Sequence, residues 1–146
     1  MFNRILVAID EKGINYKILN AVLGIANYKN AQLSLVHVNQ TTVTAAFPYV
    51  SRDLMQTTID EMEAASEKLL DEAEEALVED AKIDLDVKKV HLRGDPATQL
   101  LDYAEEENID LIIIGSRGLD GVKGLLLGSV SYKVSQAAPC SVMIVH

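Results

Sequence analysis

GSRGLDGVKGLLLGSVS, Gly115 to Ser131, follows the apolar run DLIIIG and leads into the periodicity Val130, Val134, Ala137. The order is strand, glycine-rich exit, helix start. Five of the chain's eight glycines fall here: Gly115, Gly118, Gly121, Gly124 and Gly128. Without a Cβ, Gly115 and Gly118 allow a tight exit from a strand and let a ligand approach the main chain closely. Gly128 and Ser129 open the next helix, whose first N–H groups lack intrahelical partners and whose dipole favours an anion. The stretch is a candidate phosphate cradle. Charge agrees, since Arg117, Lys123 and Lys133 outnumber Asp120 in a chain of net charge -9. The hydroxyls of Ser129 and Ser131 add donors at the helix start. The alternative is a glycine-rich surface loop, packed down by Leu125, Leu126 and Leu127, with Ser129 capping a helix.

Working outward, Phe2–Ile9 and Gln32–Val38 are short runs of Ile, Leu and Val, and Ile14, Ile18, Leu19, Val22, Leu23 and Ala26 keep a helical period between them. Residues 39–51 lack periodicity and contain Pro48, as in a loop. A long helix follows, with Met55, Ile59, Met62, Ser66, Leu69, Ala73 and Ala76 on one stripe, and Ile83–Leu92 alternates as a strand. Asp95 fits an N-cap and Pro96 a first turn, ahead of a helix with Leu100, Leu101 and Ala104 on its apolar face. Asp110–Ile114 is a buried strand, Pro139 stops the final helix, and Ser141–Val145 is the last strand. Five strands alternating with four helices predict an α/β, doubly wound parallel sheet, with ligands beyond the carboxyl ends of its strands. No repeat or linker divides residues 1–146, so one domain is expected.

At 146 residues and 49% hydrophobic content, the chain can bury a substantial core. Its acidity is local: Asp60 to Asp80 carries ten acids and one base, a net of -9, which leaves the rest neutral. These acids read as the solvated face of the long helix. No basic patch suits nucleic acid, and no apolar run reaches the length of about 18 residues needed for a membrane span. The run ILVAI near the start is shorter than a signal peptide's core of roughly 7 to 15 residues, which predicts a cytoplasmic protein. The single Cys140 excludes an intrachain disulfide, and His37, His91 and His146 are too scattered for a metal site.

Established phosphate motifs do not fit. GxxxxGK[ST] requires Lys then Ser or Thr after its second glycine, whereas Lys123 precedes Gly124, and GxGxxG is absent. What fits is Gly, two residues, Gly, nine residues, Gly-Ser, at Gly115, Gly118, Gly128 and Ser129. With a first strand ending in Asp10, a second ending in LVHV, GDPA before the third helix, then DLIIIGSRG and LLLGSVS, the whole chain resembles the universal stress protein family in its ATP-binding branch. The resemblance implies a Rossmann-like, adenine nucleotide alpha hydrolase-like sheet of order 3-2-1-4-5, a homodimer through Ser141–Val145, and ATP, or AMP or ADP, beyond strands one and four. By position, Ala8 and Asp10 would border the base, Val38 would meet adenine through its backbone, and Ile114 and Gly115 would lie near the ribose. Arg117, Gly118, Gly128, Ser129, Val130 and Ser131 would hold the phosphates. Many members carry Ser two residues after the first Asp; here the order is Asp10-Glu11-Lys12-Gly13.

Phosphoryl transfer requires a group that positions the attacking oxygen, usually with a bridging metal, and no residue stands out for the first task. Asp10 or Asp120 is available to help hold a Mg²⁺ accompanying the nucleotide. The leading expectation is a nucleotide-dependent stress-response switch with at most slow hydrolysis; the alternative is a non-nucleotide member acting by protein association. A phosphoacceptor receiver is disfavoured, because the order 3-2-1-4-5 separates Asp10 from Asp95 and no lysine follows strand five. His37 is expected to be a hydrogen-bonded structural residue, Cys140 a small buried apolar one, and Met55 and Met62 core fillers. An apolar edge at Ser141–Val145 would invite pairing with a second copy.

Overall fold

The computed structural model describes residues 2–10, 16–25, 30–40, 49–81, 84–116 and 127–146. Its elements run β1 (Arg4–Ala8), α1 (Tyr16–Ile25), β2 (Gln32–Asn39), α2 (Arg52–Ala81), β3 (Asp86–Arg93), α3 (Pro96–Glu106), β4 (Leu111–Gly115), α4 (Ser129–Ala137) and β5 (Ser141–Val145). The strands form one parallel sheet of order β3-β2-β1-β4-β5, as expected. Ile83, the expected start of the third strand, lies outside the described residues.

A strand in the middle of a parallel sheet is covered on both faces, so every position must be apolar. β1 and β4 meet that condition, with Ile5, Leu6, Val7, Ile112 and Ile113 all fully buried. Their side chains alternate between two cores. Ile5, Val7, Leu33, Leu35, Leu111 and Ile113 pack under α1 and α2, whereas Leu6, Val36, Ile112 and Ile114 pack under α3 and α4. Ser34 lies on the second face, where its hydroxyl meets the Tyr103 hydroxyl at 3.1 Å, so this buried polar pair satisfies itself.

α2 has 30 residues, about 45 Å of helix, yet its buried positions are confined to Ser66, Leu70, Ala73 and Leu77. The seam therefore runs through Leu70 and Leu77, with the expected Leu69 and Ala76 half-buried beside it. Met55 and Met62 are likewise half-buried. The acids are not all merely solvated. Asp71 and Glu74 meet Lys89 of β3 at 2.7 and 3.4 Å, and Glu63 pairs with Arg93. Such exposed pairs are worth about 0–1 kcal/mol each, so they align the helix while the four buried residues hold it.

The two sheet edges differ in kind. β3 carries Asp86, Lys88, Lys89 and Arg93, charges that discourage another strand from pairing. β5 reads SVMIV, with its last four residues only half-buried.

α3 shows how local chemistry fixes a helix. Asp95 is the N-cap, its Oδ2 accepting from the Thr98 N–H at 3.0 Å and the Thr98 hydroxyl at 2.8 Å, and Pro96 occupies the first turn. At the other end Asn108 adopts φ 52, Ile109 N–H donates to the Ala104 carbonyl, and Asn108 N–H donates to Glu105. These bonds make a Schellman motif with asparagine in the left-handed position, and Ile109 buried behind it. The chain then enters β4 through Asp110, whose carboxylate accepts the N–H groups of Asn3 and Arg4 and so ties the starts of β1 and β4.

The Thr98 backbone and hydroxyl donors hold the Asp95 carboxyl below the usual carboxylate range. The folded state thus favours the ionised form, and the cap's contribution is full above that range and fades as pH falls through the lowered value. Asp95→Ala should cost about 1 kcal/mol at neutral pH, measured by urea unfolding, with the gap to the native protein narrowing as pH drops below about 4. A gap independent of pH would contradict this role.

Candidate functional site

After β1 the chain steps to β2 and β3 on one side, then returns to place β4 and β5 on the other. Strand order reverses between β1 and β4, and that reversal opens a crevice beyond their carboxyl ends. Val7 pairs with Ile113, so Asp10 and Gly115 both leave the sheet at this place. The same order puts β2 between β1 and β3, which separates Asp10 from Asp95 as expected.

Four of the expected residues meet on one face. Ala8 from β1, Val38 from β2 and Val130 from α4 pack with buried Ile114 of β4 in the second core. This convergence supplies an apolar floor at the crevice. Asp10 stands exposed at the end of β1.

Two hydrogen bonds join the exit of β4 to the start of α4. The Ser131 hydroxyl donates to the Gly115 carbonyl at 2.6 Å, and Gly128 N–H donates to the Ser116 carbonyl at 3.0 Å. A third, from Ser116 N–H to the Val145 carbonyl at 2.9 Å, ties the exit to β5. The spacing that places Ser131 within reach of Gly115 is not a signal that sequence reasoning used. In this arrangement the buried Ser131 hydroxyl serves the frame, and its backbone N–H remains the group suited to an anion.

Gly128 is the N-cap of α4, with φ -58 and ψ 157 and no side-chain capping bond. Those angles are open to any L-residue, and among the described glycines only Gly94 has a positive φ, of 137. The backbone conformation therefore does not demand glycine at 128. What glycine contributes there is an uncrowded helix start, where the N–H groups of Ser129, Val130 and Ser131 fall in the first turn. Arg117, Gly118, Asp120 and Lys123 lie outside the described residues.

Other residues take structural roles. His37 is buried with its Nδ1 hydrogen-bonded to the Ser66 hydroxyl. A serine beside a histidine suggests a nucleophile and its base, but Ser66 is 1% exposed beneath α2, beyond the reach of substrate. Cys140 is half-buried against the second core, and burial pushes its thiol up, which lowers the thiolate fraction. Among the described residues no group of three or more His, Cys, Asp or Glu is arranged to hold a metal ion, and no helix is long and apolar enough to cross a membrane.

The family model for the universal stress protein family matches residues 1–146. Universal stress protein YxiE of Bacillus subtilis (strain 168) is 35% identical over 151 aligned residues, covering 100% of both chains. Among solved structures, a universal stress protein in complex with cAMP has a TM-score of 0.69 at 22% identity, covering 99% of this chain and 97% of its own. A universal stress protein family protein from Arabidopsis thaliana with AMP bound has a TM-score of 0.65 at 20% identity, covering 98% and 90%. At such identities the two structures establish the fold, while the family match and the Bacillus relative reach further: this chain belongs to the universal stress protein family.

Proposed function

We propose that this chain binds an adenine nucleotide, ATP in the leading form and AMP or ADP as relatives of it, at the carboxyl ends of β1 and β4. It would act in the cytoplasm as a nucleotide-dependent stress-response switch with at most slow hydrolysis. The observation that carries the reading is the meeting of two unlike surfaces. An apolar floor of Ala8, Val38, Ile114 and Val130 adjoins a helix start capped by a glycine with ordinary backbone angles. A purine is flat and largely apolar, whereas a polyphosphate is anionic, so one ligand uses both. Two solved relatives carry cAMP and AMP, which favours the same ligand class here.

In this reading Ala8 and Asp10 border the base, the Val38 backbone meets adenine, and Ile114 and Gly115 lie by the ribose. Gly128, Ser129, Val130 and Ser131 hold phosphate chiefly through backbone N–H groups, and Arg117 and Gly118 complete the cradle. Any Mg²⁺ would arrive on the phosphate oxygens, where it neutralises charge. The switch follows from the frame: a nucleotide spanning β1, β4 and α4 orders the segment between Ser116 and Leu127 and alters assembly.

The same reading includes a homodimer through β5, whose half-buried apolar edge contrasts with the charged β3 edge. Sedimentation equilibrium should give twice the 16.0 kDa chain mass, and a species at the chain mass alone would contradict the dimer.

Gly128→Val adds bulk at the helix start in a conformation that valine tolerates. Circular dichroism should remain native, while calorimetric ATP affinity falls at least about tenfold, or roughly 1.4 kcal/mol. Unchanged affinity in a folded variant would overturn the cradle.

A further inference from the structure

One polar cluster plays no part in the site just described. At the carboxyl ends of β2 and β3, beneath α2, the Asn39 side chain touches two different elements. Its Nδ2 donates to the Met62 carbonyl of α2 at 3.2 Å and lies 2.8 Å from Nε2 of His91 on β3. Asn39 is 4% exposed, so water cannot readily replace either bond.

The arrangement assigns the protons. A carbonyl oxygen only accepts, so the atom facing Met62 must be the amide nitrogen rather than the amide oxygen. That same nitrogen faces His91, and Nε2 must therefore carry a lone pair. His91 is then neutral, with its proton on Nδ1. Protonation would place an N–H against the amide N–H group. Asn39 could meet it only by turning Oδ1 towards His91, which sets the oxygen against, or removes the nitrogen from, the Met62 carbonyl.

We propose that Asn39, His91 and Met62 form a pH-sensitive clasp that holds α2 on the sheet while His91 is neutral and releases its grip when His91 is protonated. The sign follows from the neutral acceptor. The clasped form binds the proton less well than the released form, so acidification shifts the balance towards release.

The surrounding charges have been considered from each packed element. From β2, the His37 ring stacks on His91 with centroids 6.4 Å apart and an interplanar angle of 18°, so a second cation there would add repulsion. From α2, Glu63, Asp71 and Glu74 would attract a cation, but they are exposed and paired with Arg93 and Lys89 of β3. From α3, Tyr103 and Glu107 meet Lys88, which alternates to the other face of β3. The hydrogen-bond conflict at Nε2 is buried and unscreened, and it decides the direction.

The clasp is tested on the protein without nucleotide, so its failure and that of the nucleotide reading are separate results. Nitrogen-15 NMR of histidine side chains at about pH 7.5 should show His91 protonated at Nδ1 and bare at Nε2. Between about pH 7.5 and 5.5, above the carboxylate range, amide exchange corrected for intrinsic rate should show α2 protection near Met62 and Ser66 falling about three- to tenfold, the scale of one hydrogen bond. His91→Gln should abolish that dependence. A proton on Nε2 at neutral pH, unchanged protection on acidification, or a dependence that survives His91→Gln would each overturn the clasp.

Discussion

The structure depends on burying β1 and β4 on both faces. Ile5, Leu6, Val7, Ile112 and Ile113 have no solvent-facing side, so helices must cover the sheet above and below. With right-handed crossovers, helices that follow strands added in one direction fall on one face, and those for the opposite direction fall on the other. α1 and α2 accompany the steps from β1 to β3; α3 and α4 accompany β4 and β5. The reversal between β1 and β4 is therefore the geometric result of covering both faces. The crevice comes with it.

Much of this was legible in the sequence because its signals are local. Continuous Ile-Leu-Val runs mark buried parallel strands, Asp95-Pro96 marks a helix start, and Gly128-Ser129 marks another. The sheet order came from the family resemblance, since periodicity alone does not say which strands are neighbours. The seam of α2 was read a little to one side, through Leu69 and Ala76, because Leu69 and Leu70 are equally apolar and only packing on β2 and β3 selects Leu70. Long-range polar bonds left no sequence signal at all. Nothing local announces that Asp110 accepts from Asn3 and Arg4, that Ser131 donates to Gly115, or that Asn39 reaches His91.

Glycine shows why composition and conformation must be separated. The crowding at residues 115–128 invited an explanation from backbone angles, yet positive φ among the described glycines belongs to Gly94, where the chain turns from β3 into α3. Gly94 also donates to the Asn39 carbonyl at 2.9 Å, which links that turn to the strand end carrying the clasp. At Gly128 the glycine has an ordinary conformation, and the absence of a side chain becomes the property that matters. That distinction turns a loop-like composition into a specific reading of a helix start left open for a ligand.

The most direct measurement is to purify the protein without added nucleotide, denature it, identify released small molecules by mass spectrometry, and titrate the emptied protein with ATP by calorimetry. Adenine nucleotide released near one per chain, or saturable ATP binding by the emptied protein, is the predicted result. A protein that emerges empty and ignores millimolar ATP would contradict the nucleotide site and favour action through protein association.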